Sequence, residues 1–221
     1  MKKLAFATAI LLSQISFAQI TKDPGTFDSV KVYDKINLEL VPSSENKIEI
    51  TGDNANGVEI VNNNGELKLR MSLDKTMSGE DIKAKLYCKN IQTIDASEGS
   101  FVSSNTVFKQ VALDITAREG AQIELKLDLQ KAKVKSITGS KIKLSGKAVN
   151  QEASIGTGGS LQAKDLITNQ TSVVITTGGD AEVNATEFAD AQVKMGGTIT
   201  VFGKPKQLNQ KTMLGGSIIQ K

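Results

Sequence analysis

The sequence has no histidine and no tryptophan, one cysteine among its 221 residues, and only 4% aromatic residues. Without histidine the chain lacks the commonest general base and metal ligand, and every Ser–His or Cys–His nucleophile pair is excluded. A single cysteine allows neither an internal disulfide nor a Cys-x-x-Cys metal site. These missing residue types argue against most enzyme classes, and the sequence predicts no metal site and no cofactor.

An excess of one charge is also missing, because 27 basic residues nearly balance 24 acidic ones and leave a net charge of +3. A nucleic-acid-binding protein needs a much stronger basic bias, so no nucleic acid is expected as a partner. Apolar residues make up 39% and charged residues 23% of the chain. This composition excludes both a disordered acidic tail and a bundle of membrane helices. The length allows one large domain or two small ones.

Residues 1–18 have the pattern of a bacterial secretory signal peptide. Lys2 and Lys3 precede an apolar stretch that runs from Leu4 to Ile15, and cleavage is expected after Ala18. The stretch is too short to cross a bilayer, which takes about 20 residues, and no later stretch is long and apolar enough. Cleavage leaves 25 basic and 24 acidic residues, a net charge of +1. The sequence thus predicts export to the periplasm, the cell envelope or the exterior, with a linker at 19–26.

The rest of the chain alternates apolar and polar residues with the period of two that is typical of β-strands. Clear examples are the segments 36–40 and 67–71, and turn-forming residues separate such segments at 52–54 and 62–65. The only short candidate for a helix lies around Ala185–Ala191. The pattern therefore predicts an all-β chain.

From about residue 91 the chain repeats a motif of glycine, a small residue, any residue and an apolar residue. Its seven copies begin at Gly99, Gly120, Gly139, Gly158, Gly178, Gly196 and Gly215. Successive first glycines are 21, 19, 19, 20, 18 and 19 residues apart. A regular period near 19 residues over seven copies predicts a solenoid.

The residues around each glycine predict the shape of one turn. If the first glycine is position zero, positions +1, +3 and +5 are small or apolar and point inward, whereas +2 and +4 are mostly polar and point outward. A second strand precedes the glycine, with inward residues at −5 and −3. About 19 residues thus form two or three short strands with tight corners, a single-stranded parallel β-helix. The predicted domain is 27–221, with seven glycine-turn repeats at 91–221 and less regular rungs or a cap at 27–90.

The ordered series of motifs resembles the bacterial head GIN domain family of auto-transporter adhesins. The similarity covers about 27–219 and rests on the segments 27–32, 64–69 and 201–205 together with the glycine turns. It departs at Ser97-Glu98-Gly99, where the family more often has Ser directly before Gly. The resemblance implies a right-handed parallel β-helix that is exported and acts in adhesion, without a recognised catalytic set.

Outward residues of three consecutive copies form a candidate surface patch of polar groups that a sugar could touch. The patch consists of Ser160, Gln162, Asp180, Glu182, Thr198 and Thr200. Asp180 and Glu182 are two residues apart on one strand and point to the same outward face, with Cβ atoms about 6–7 Å apart. This distance is near the carboxylate separation of inverting glycosidases. The simpler interpretation is a solvated strand face with one acidic rung, because the aromatic platforms typical of glycan sites are scarce.

Three functional interpretations remain open at this point. The first is an exported adhesin or surface-binding module that contacts a glycan or a cell-surface protein through its outer faces. The second is a polysaccharide-cleaving enzyme of pectin-lyase-like shape, for which only Asp180 and Glu182 offer paired carboxylates. The third is a structural scaffold of the cell envelope.

Four further features have structural interpretations that we prefer to functional ones. Lys143 and Glu124 lie at the same offset in adjacent copies and predict a neutralising charge ladder, with Lys141 beside it. A stack of threonines before the glycines predicts a hydroxyl ladder at the corner rather than a flat binding surface. It consists of Thr138, Thr157 and Thr177.

Cys88 is predicted to be a buried thiol rather than an intermolecular disulfide. The N-glycosylation triplets at Asn169 and Asn184 are of a kind that is frequent by chance.

Overall fold

The structure, a computed structural model, describes residues 19–221. The predicted signal peptide at 1–18 lies outside this range. Sixteen β-strands and two short 3₁₀ helices make up the described chain. Within it, no helix is both long enough and apolar enough to cross a membrane.

The repeat region consists of parallel strands, each of which lies in register with its counterpart in the next turn. Its strands are β9 Phe101–Ala117, β10 Gln122–Ile137, β11 Lys141–Gly156, β12 Ser160–Ile175, β13 Asp180–Met195, β14 Thr198–Phe202, β15 Gln207–Leu214 and β16 Ser217–Gln220. Inward position +3 stacks on position +3, so that Ile142 pairs with Ile123 on one side and with Leu161 on the other. The predicted β-solenoid, with about seven turns of about 19 residues each, is confirmed.

The long strands β9–β13 bend at corners. Sixteen extended residues would reach about 50 Å if they were straight, yet each turn returns above the previous one. Bends occur where two successive residues are exposed and the alternation of burial is interrupted, as at Gln130–Lys131 in β10 and at Lys164–Asp165 in β12. The segment Ala185–Ala191 belongs to β13, so the expected helical candidate is wrong. Its alternating burial, with Ala185, Ala189 and Ala191 inward, explains the strand.

The N-terminal region continues the same stack with shorter elements. These are β1 Ile20–Lys22, β2 Ser29–Val32, β3 Asn37–Pro42, β4 Lys47–Thr51, η1 Ala55–Gly57, β5 Val58–Asn63, β6 Glu66–Met71, η2 Leu73–Lys75, β7 Lys83–Cys88 and β8 Thr93–Ala96. On one side of the solenoid the order is β9-β3-β7-β4-β1, and on the other it is β9-β8-β2-β6-β5. The turn of β2 and β3 therefore lies between the turn of β6 and β7 and that of β8 and β9, out of chain order.

Antiparallel strands close this end of the stack, which we call the head end. Strand β4 is antiparallel to β7, β5 is antiparallel to β6, and β1 is antiparallel to β4. The expected linker at 19–26 thus contains a strand, because Ile20 pairs with Ile50 and packs against the core. The opposite end, formed by β14, β15 and β16, is called the tail end.

A single aliphatic core runs through the whole stack. The predicted inward positions before the glycines are buried, as Ile94, Ile115 and Ile175 illustrate. Positions +3 are equally buried, with Val102, Ile142 and other members 0–2% exposed from β9 to β14. Because the interior is filled by side chains, binding chemistry must lie on the outer faces.

Candidate functional site

The glycine corners determine how the outer faces are aligned. Two successive residues adopt the left-handed conformation at each corner, as Thr138 and Gly139 do with φ of 54° and 70°. In the last three copies the pair shifts by one residue, so that Gly178 and Gly179 have φ of 56° and 120°. Positive φ at Thr138 and Thr157 is unusual, because β-branched side chains rarely adopt it. The glycine motif alone gave no signal for it.

The two glycines of a copy have different physical roles. A Cβ added to Gly178 would meet no atom within 4 Å, so this glycine serves the backbone conformation. A Cβ on Gly179 would lie 2.5 Å from the carbonyl oxygen of Gly159 in the turn below. Close backbone approach at the second position therefore keeps successive corners stacked, and with them the outward residues that follow.

Outward side chains after the corners form two parallel rows along one side of the stack, which we call the long face. The +2 row and its head-end continuation comprise Thr51, Lys83, Asn37, Phe101, Gln122, Lys141, Ser160, Asp180, Thr198 and Ser217. The +4 row comprises Glu49, Lys85, Glu39, Ser103, Glu124, Lys143, Gln162, Glu182, Thr200 and Ile219. The face is continuous from β4 to β16 and mostly polar.

The structure brings the six predicted patch residues together on the long face. Asp180 pairs in register with Ser160 on one side and with Thr198 on the other. Glu182 likewise pairs with Gln162 and Thr200, at the strand spacing of about 4.8 Å. Asp180 is exposed, and the other members are partly buried. Neither carboxylate forms a salt bridge with any residue in 19–221, so the patch carries uncompensated negative charge.

The predicted charge ladder lies next to this patch. Lys143 Nζ donates to Glu124 Oε1 at 2.6 Å, and this hydrogen bond raises the pKa of Lys143. Lys141 is exposed beside Gln122. Both partners of the pair are about half exposed, and exposed pairs of this kind contribute little to stability.

The predicted threonine ladder lies at the corners and is held by backbone hydrogen bonds. The carbonyl oxygens of Thr138 and Thr157 accept from the amides of Gly120 and Gly139 at 3.0 and 3.1 Å. Thr157 N–H donates to the Thr177 carbonyl at 2.5 Å. The ladder is therefore a feature of the stacked corners, and its three residues are exposed.

Cys88 is buried in β7, as the alternation predicts. It is 2% exposed, and burial raises the pKa of its thiol to about 11. A thiol protonated at neutral pH is a poor nucleophile. Of the two glycosylation triplets, Asn169 lies at an exposed bend, and Asn184 donates its side-chain amide to the Lys164 carbonyl at 2.8 Å.

Two buried carboxylates were missed by sequence reasoning. Asp34 accepts hydrogen bonds from the amides of Met71 and Met77, both at 2.9 Å, and so anchors the segment after β6. Asp95 forms an ion pair with Arg118, and burial raises its pKa while Arg118 opposes that shift. Both residues tie elements of the head end together. Neither residue belongs to a local sequence motif, so the sequence offered no signal for these long-range contacts.

Two open grooves on the outer faces of the described chain contain charged side chains. One, of about 530 Å³, lies at the head end of the long face, and Phe101 and Lys83 line it. The other, of about 470 Å³, lies on the side formed by the strands before the corners, where Lys133, Lys135 and Glu152 line it. Residues 19–221 contain no group of three or more Cys, Asp or Glu side chains placed to hold a metal ion.

The interior of the stack is aliphatic and closed, and its outer faces are long and polar. These features define the protein as a β-solenoid that displays side chains along its sides. The chain belongs to the family described as "Putative auto-transporter adhesin, head GIN domain", which matches residues 26–205. The resemblance noted in the sequence is thereby confirmed. No curated protein matches the chain.

Solved structures share this fold at low sequence identity. A putative adhesin from Bacteroides fragilis NCTC 9343 is 20% identical, with a TM-score of 0.85 over 94% of this chain and 98% of that one. A putative adhesin from Parabacteroides merdae ATCC 43184 is 20% identical, with a TM-score of 0.69 over 93% and 96%. A protein described as a putative lipid binding protein from Parabacteroides distasonis ATCC 8503 is 15% identical, with a TM-score of 0.71 over 92% and 96%.

Proposed function

We propose that this chain is an exported adhesin, a surface-binding module that contacts a glycan or a cell-surface protein through its outer faces. The observation that carries the proposal is the long face, where two rows of outward side chains continue in register from β4 to β16. A rigid ladder of polar groups at a regular spacing suits an extended partner that makes the same kind of contact at several rungs. Membership of an adhesin family supports this function.

The patch around Asp180 is the part of the long face that we propose as a contact surface. Its hydroxyl groups, amide and carboxylates can both donate and accept hydrogen bonds, as the hydroxyls of a sugar or the backbone of a protein require. The two carboxylates have no cationic partner among residues 19–221, so they are available to a ligand. The members are Ser160, Gln162, Asp180, Glu182, Thr198 and Thr200.

Export is part of the same proposal. Residues 1–18 act as a signal peptide that is removed after Ala18, and the solenoid domain at 27–221 follows the short segment 19–26. Mass spectrometry of the protein from the host envelope or medium tests this step. A mature N-terminus at Gln19 supports export, and an intact Met1 in the cytoplasmic fraction contradicts it.

The function is tested by probing the purified mature protein against a glycan array and against bacterial and host cell surfaces. We expect reproducible binding that decreases when Asp180 and Glu182 are replaced by Asn and Gln. The matched control is Lys141→Gln, which changes a charge on the same face beside Ser160 and two strands from Asp180. Absence of binding to every glycan and every cell surface would contradict the adhesin function.

The enzyme interpretation makes a different prediction for the same patch. Paired carboxylates could cleave a polysaccharide that the array identifies, with Asp180 and Glu182 as the candidate acid and base. Incubation with each bound glycan, followed by chromatography of the products, separates the two functions. We expect the glycan to be recovered intact, whereas turnover that is abolished by Glu182→Gln would replace the adhesin function by a catalytic one.

A further inference from the structure

The first copy of the repeat breaks the pattern at its outward position +2. Six copies have a polar or charged residue there, namely Gln122, Lys141, Ser160, Asp180, Thr198 and Ser217. The first copy has Phe101, although aromatic residues make up only 4% of the chain. The Phe101 side chain is outward and only partly buried. Phe101 is therefore the one aromatic residue in a row of outward positions that is otherwise polar.

Phe101 lines the groove of about 530 Å³ at the head end of the long face. Four neighbouring strands supply the walls, because Phe101 pairs with Asn37, Asn37 pairs with Lys83, and Lys83 pairs with Thr51. Lys83 thus lies two strands from Phe101, about 10 Å away between Cα atoms. One ring of a sugar can rest on Phe101 while a substituent of the same or the next unit reaches Lys83.

The charges around the groove leave one cation without a partner. Glu39 forms a salt bridge with Lys85 at 3.2 Å, and Glu49 forms one with Lys47 at 2.9 Å. The Lys47 hydrogen bond also holds the pKa of Glu49 below its ordinary value. Lys83 is exposed and forms no salt bridge with any residue of the described chain. Its ammonium group is therefore available to an anionic ligand.

Hydrogen-bonding groups complete the groove. The side-chain amide of Asn37 donates to the Glu80 carbonyl at 2.9 Å, which orients the amide and leaves its oxygen as an acceptor. Thr51 and Ser103 add hydroxyl groups to the walls of the groove. An apolar ring face, one free cation and several neutral polar groups match the C–H face, the carboxylate and the hydroxyls of an acidic sugar.

We propose that this groove binds an acidic sugar unit of a polysaccharide, with the pyranose ring on Phe101 and its carboxylate on Lys83. The proposal rests on the adhesin function and assigns to it a second site and a ligand class. A protein partner is less suited to the groove, because a single ring beside one unpaired cation suits one small anionic unit. A neutral glycan would leave Lys83 without a counter-charge.

The test is a calorimetric or NMR titration of the mature protein with trigalacturonate, at low and at moderate salt. Trigalacturonate methyl ester is the matched neutral probe. We expect binding of the acid that weakens with salt and is at least about fivefold tighter than binding of the ester, as a charge-assisted contact requires. Phe101→Gln places at +2 the residue found in the next copy, so it removes the ring without disturbing the fold, and it should weaken binding at least about fivefold.

Lys83→Gln should lower affinity for the acid to that for the ester and remove the salt dependence. Lys141→Gln removes a cation at the same offset two strands beyond Phe101 and should change the affinity by less than about twofold. Unaltered binding by Phe101→Gln, equal affinity for acid and ester, or no binding of trigalacturonate or of mannuronate and guluronate trimers would overturn the proposal. If these titrations fail while the glycan array yields other partners, only the proposed acidic-sugar site is contradicted. If the array and the cell surfaces yield no partner at all, the adhesin function itself is contradicted.

Discussion

At the head end the stack is covered by antiparallel strands, whereas at the tail end the inward side chains of the last turn are open to solvent. Ile48 and Ile50 of β4 are 0% and 1% exposed, although β4 lies one strand from the edge. At the tail, Leu208 and Ile218 occupy inward positions and are only partly buried. Met213 and Leu214 are 61% and 66% exposed. Both ends belong to one stack, yet only the head is covered by additional backbone.

The sequence compensates for the open tail by changing composition. In the last turn the inward positions that pair with Ala191, Val193 and Val201 are occupied by Gln210, Thr212 and Gln220. These polar residues can face water without the cost of exposing aliphatic side chains, as terminal repeats of solenoids commonly do. In the described residues, additional strands therefore cover the inward side chains at the head, whereas polar residues occupy inward positions of the last described turn.

The largest expected effect comes from deletions between the two ends. Removing Ser140–Gly158 takes out one period of 19 residues and joins Gly139 to Gly159, so every later inward residue stays inward. We expect a folded β-protein with a cooperative but lower melting transition, because a solenoid loses one turn and one interface. Removing only 140–149 takes out about half a turn and should cause unfolding or aggregation, because later glycine corners no longer stack. Circular dichroism melts distinguish the two, and similar behaviour of both variants argues against the period of 19.

The same substitution made at the two ends should lower the free energy of unfolding by amounts that differ by several kcal/mol. Ile50 and Ile218 belong to the same inward row, but only Ile50 is fully buried. Ile50→Asp should cost about 4 kcal/mol or more, because it buries an unpaired carboxylate, whereas Ile218→Asp should cost about 1 kcal/mol. Denaturant unfolding measures both values. Equal costs would mean that the tail is covered as completely as the head.

The two glycines of one corner should also differ. Gly179→Ala would place a Cβ against the Gly159 carbonyl at a φ of 120°, and we expect a loss of about 3 kcal/mol. In Gly178→Ala the added Cβ would meet no atom within 4 Å, and the backbone φ is 56°. The free energy of unfolding should therefore fall by only about 1 kcal/mol. The unfolding free energies of the two variants test the assignment. A greater loss for Gly178→Ala would contradict close backbone stacking at the second glycine.

The smallest expected effect is on the charged ladder between the two ends. Lys143→Gln removes the hydrogen bond to Glu124, but both side chains are about half exposed. We expect an unchanged unfolding midpoint, since exposed ion pairs contribute little. Lys141→Gln, which breaks no salt bridge within 19–221, is the control. A clearly lower midpoint for Lys143→Gln alone would show that outer charges, rather than the core, stabilise the stack.

The repeat region could be predicted closely because its signals are local. Glycine spacing determined the period, and residues such as Ile142 and Lys141 reveal their inward or outward position through alternation alone. The register that unites Ser160, Asp180 and Thr198 follows from the same spacing. The six patch residues were therefore placed together by the sequence, although their role in binding is a proposal.

The head end could not be predicted in the same way, because its order depends on contacts between distant segments. Nothing local indicates that β2 and β3 insert between later turns, or that Ile20 pairs with Ile50. The groove around Phe101 depends on that order, since Asn37 and Lys83 reach it from strands far apart in the chain. The sequence contained the anomalous phenylalanine, but not the neighbours that make it part of a groove.

Hydrogen–deuterium exchange with peptide-level mass spectrometry tests most directly whether one stack has a covered head and an open tail. Amides of β4 and β7 should exchange only through global unfolding, because their strands are paired and their side chains are buried. Amides of β15 and β16 should exchange through local opening, at least about a hundredfold faster. Equal protection of β4 and β16, or faster exchange at the head than at the tail, would contradict this account.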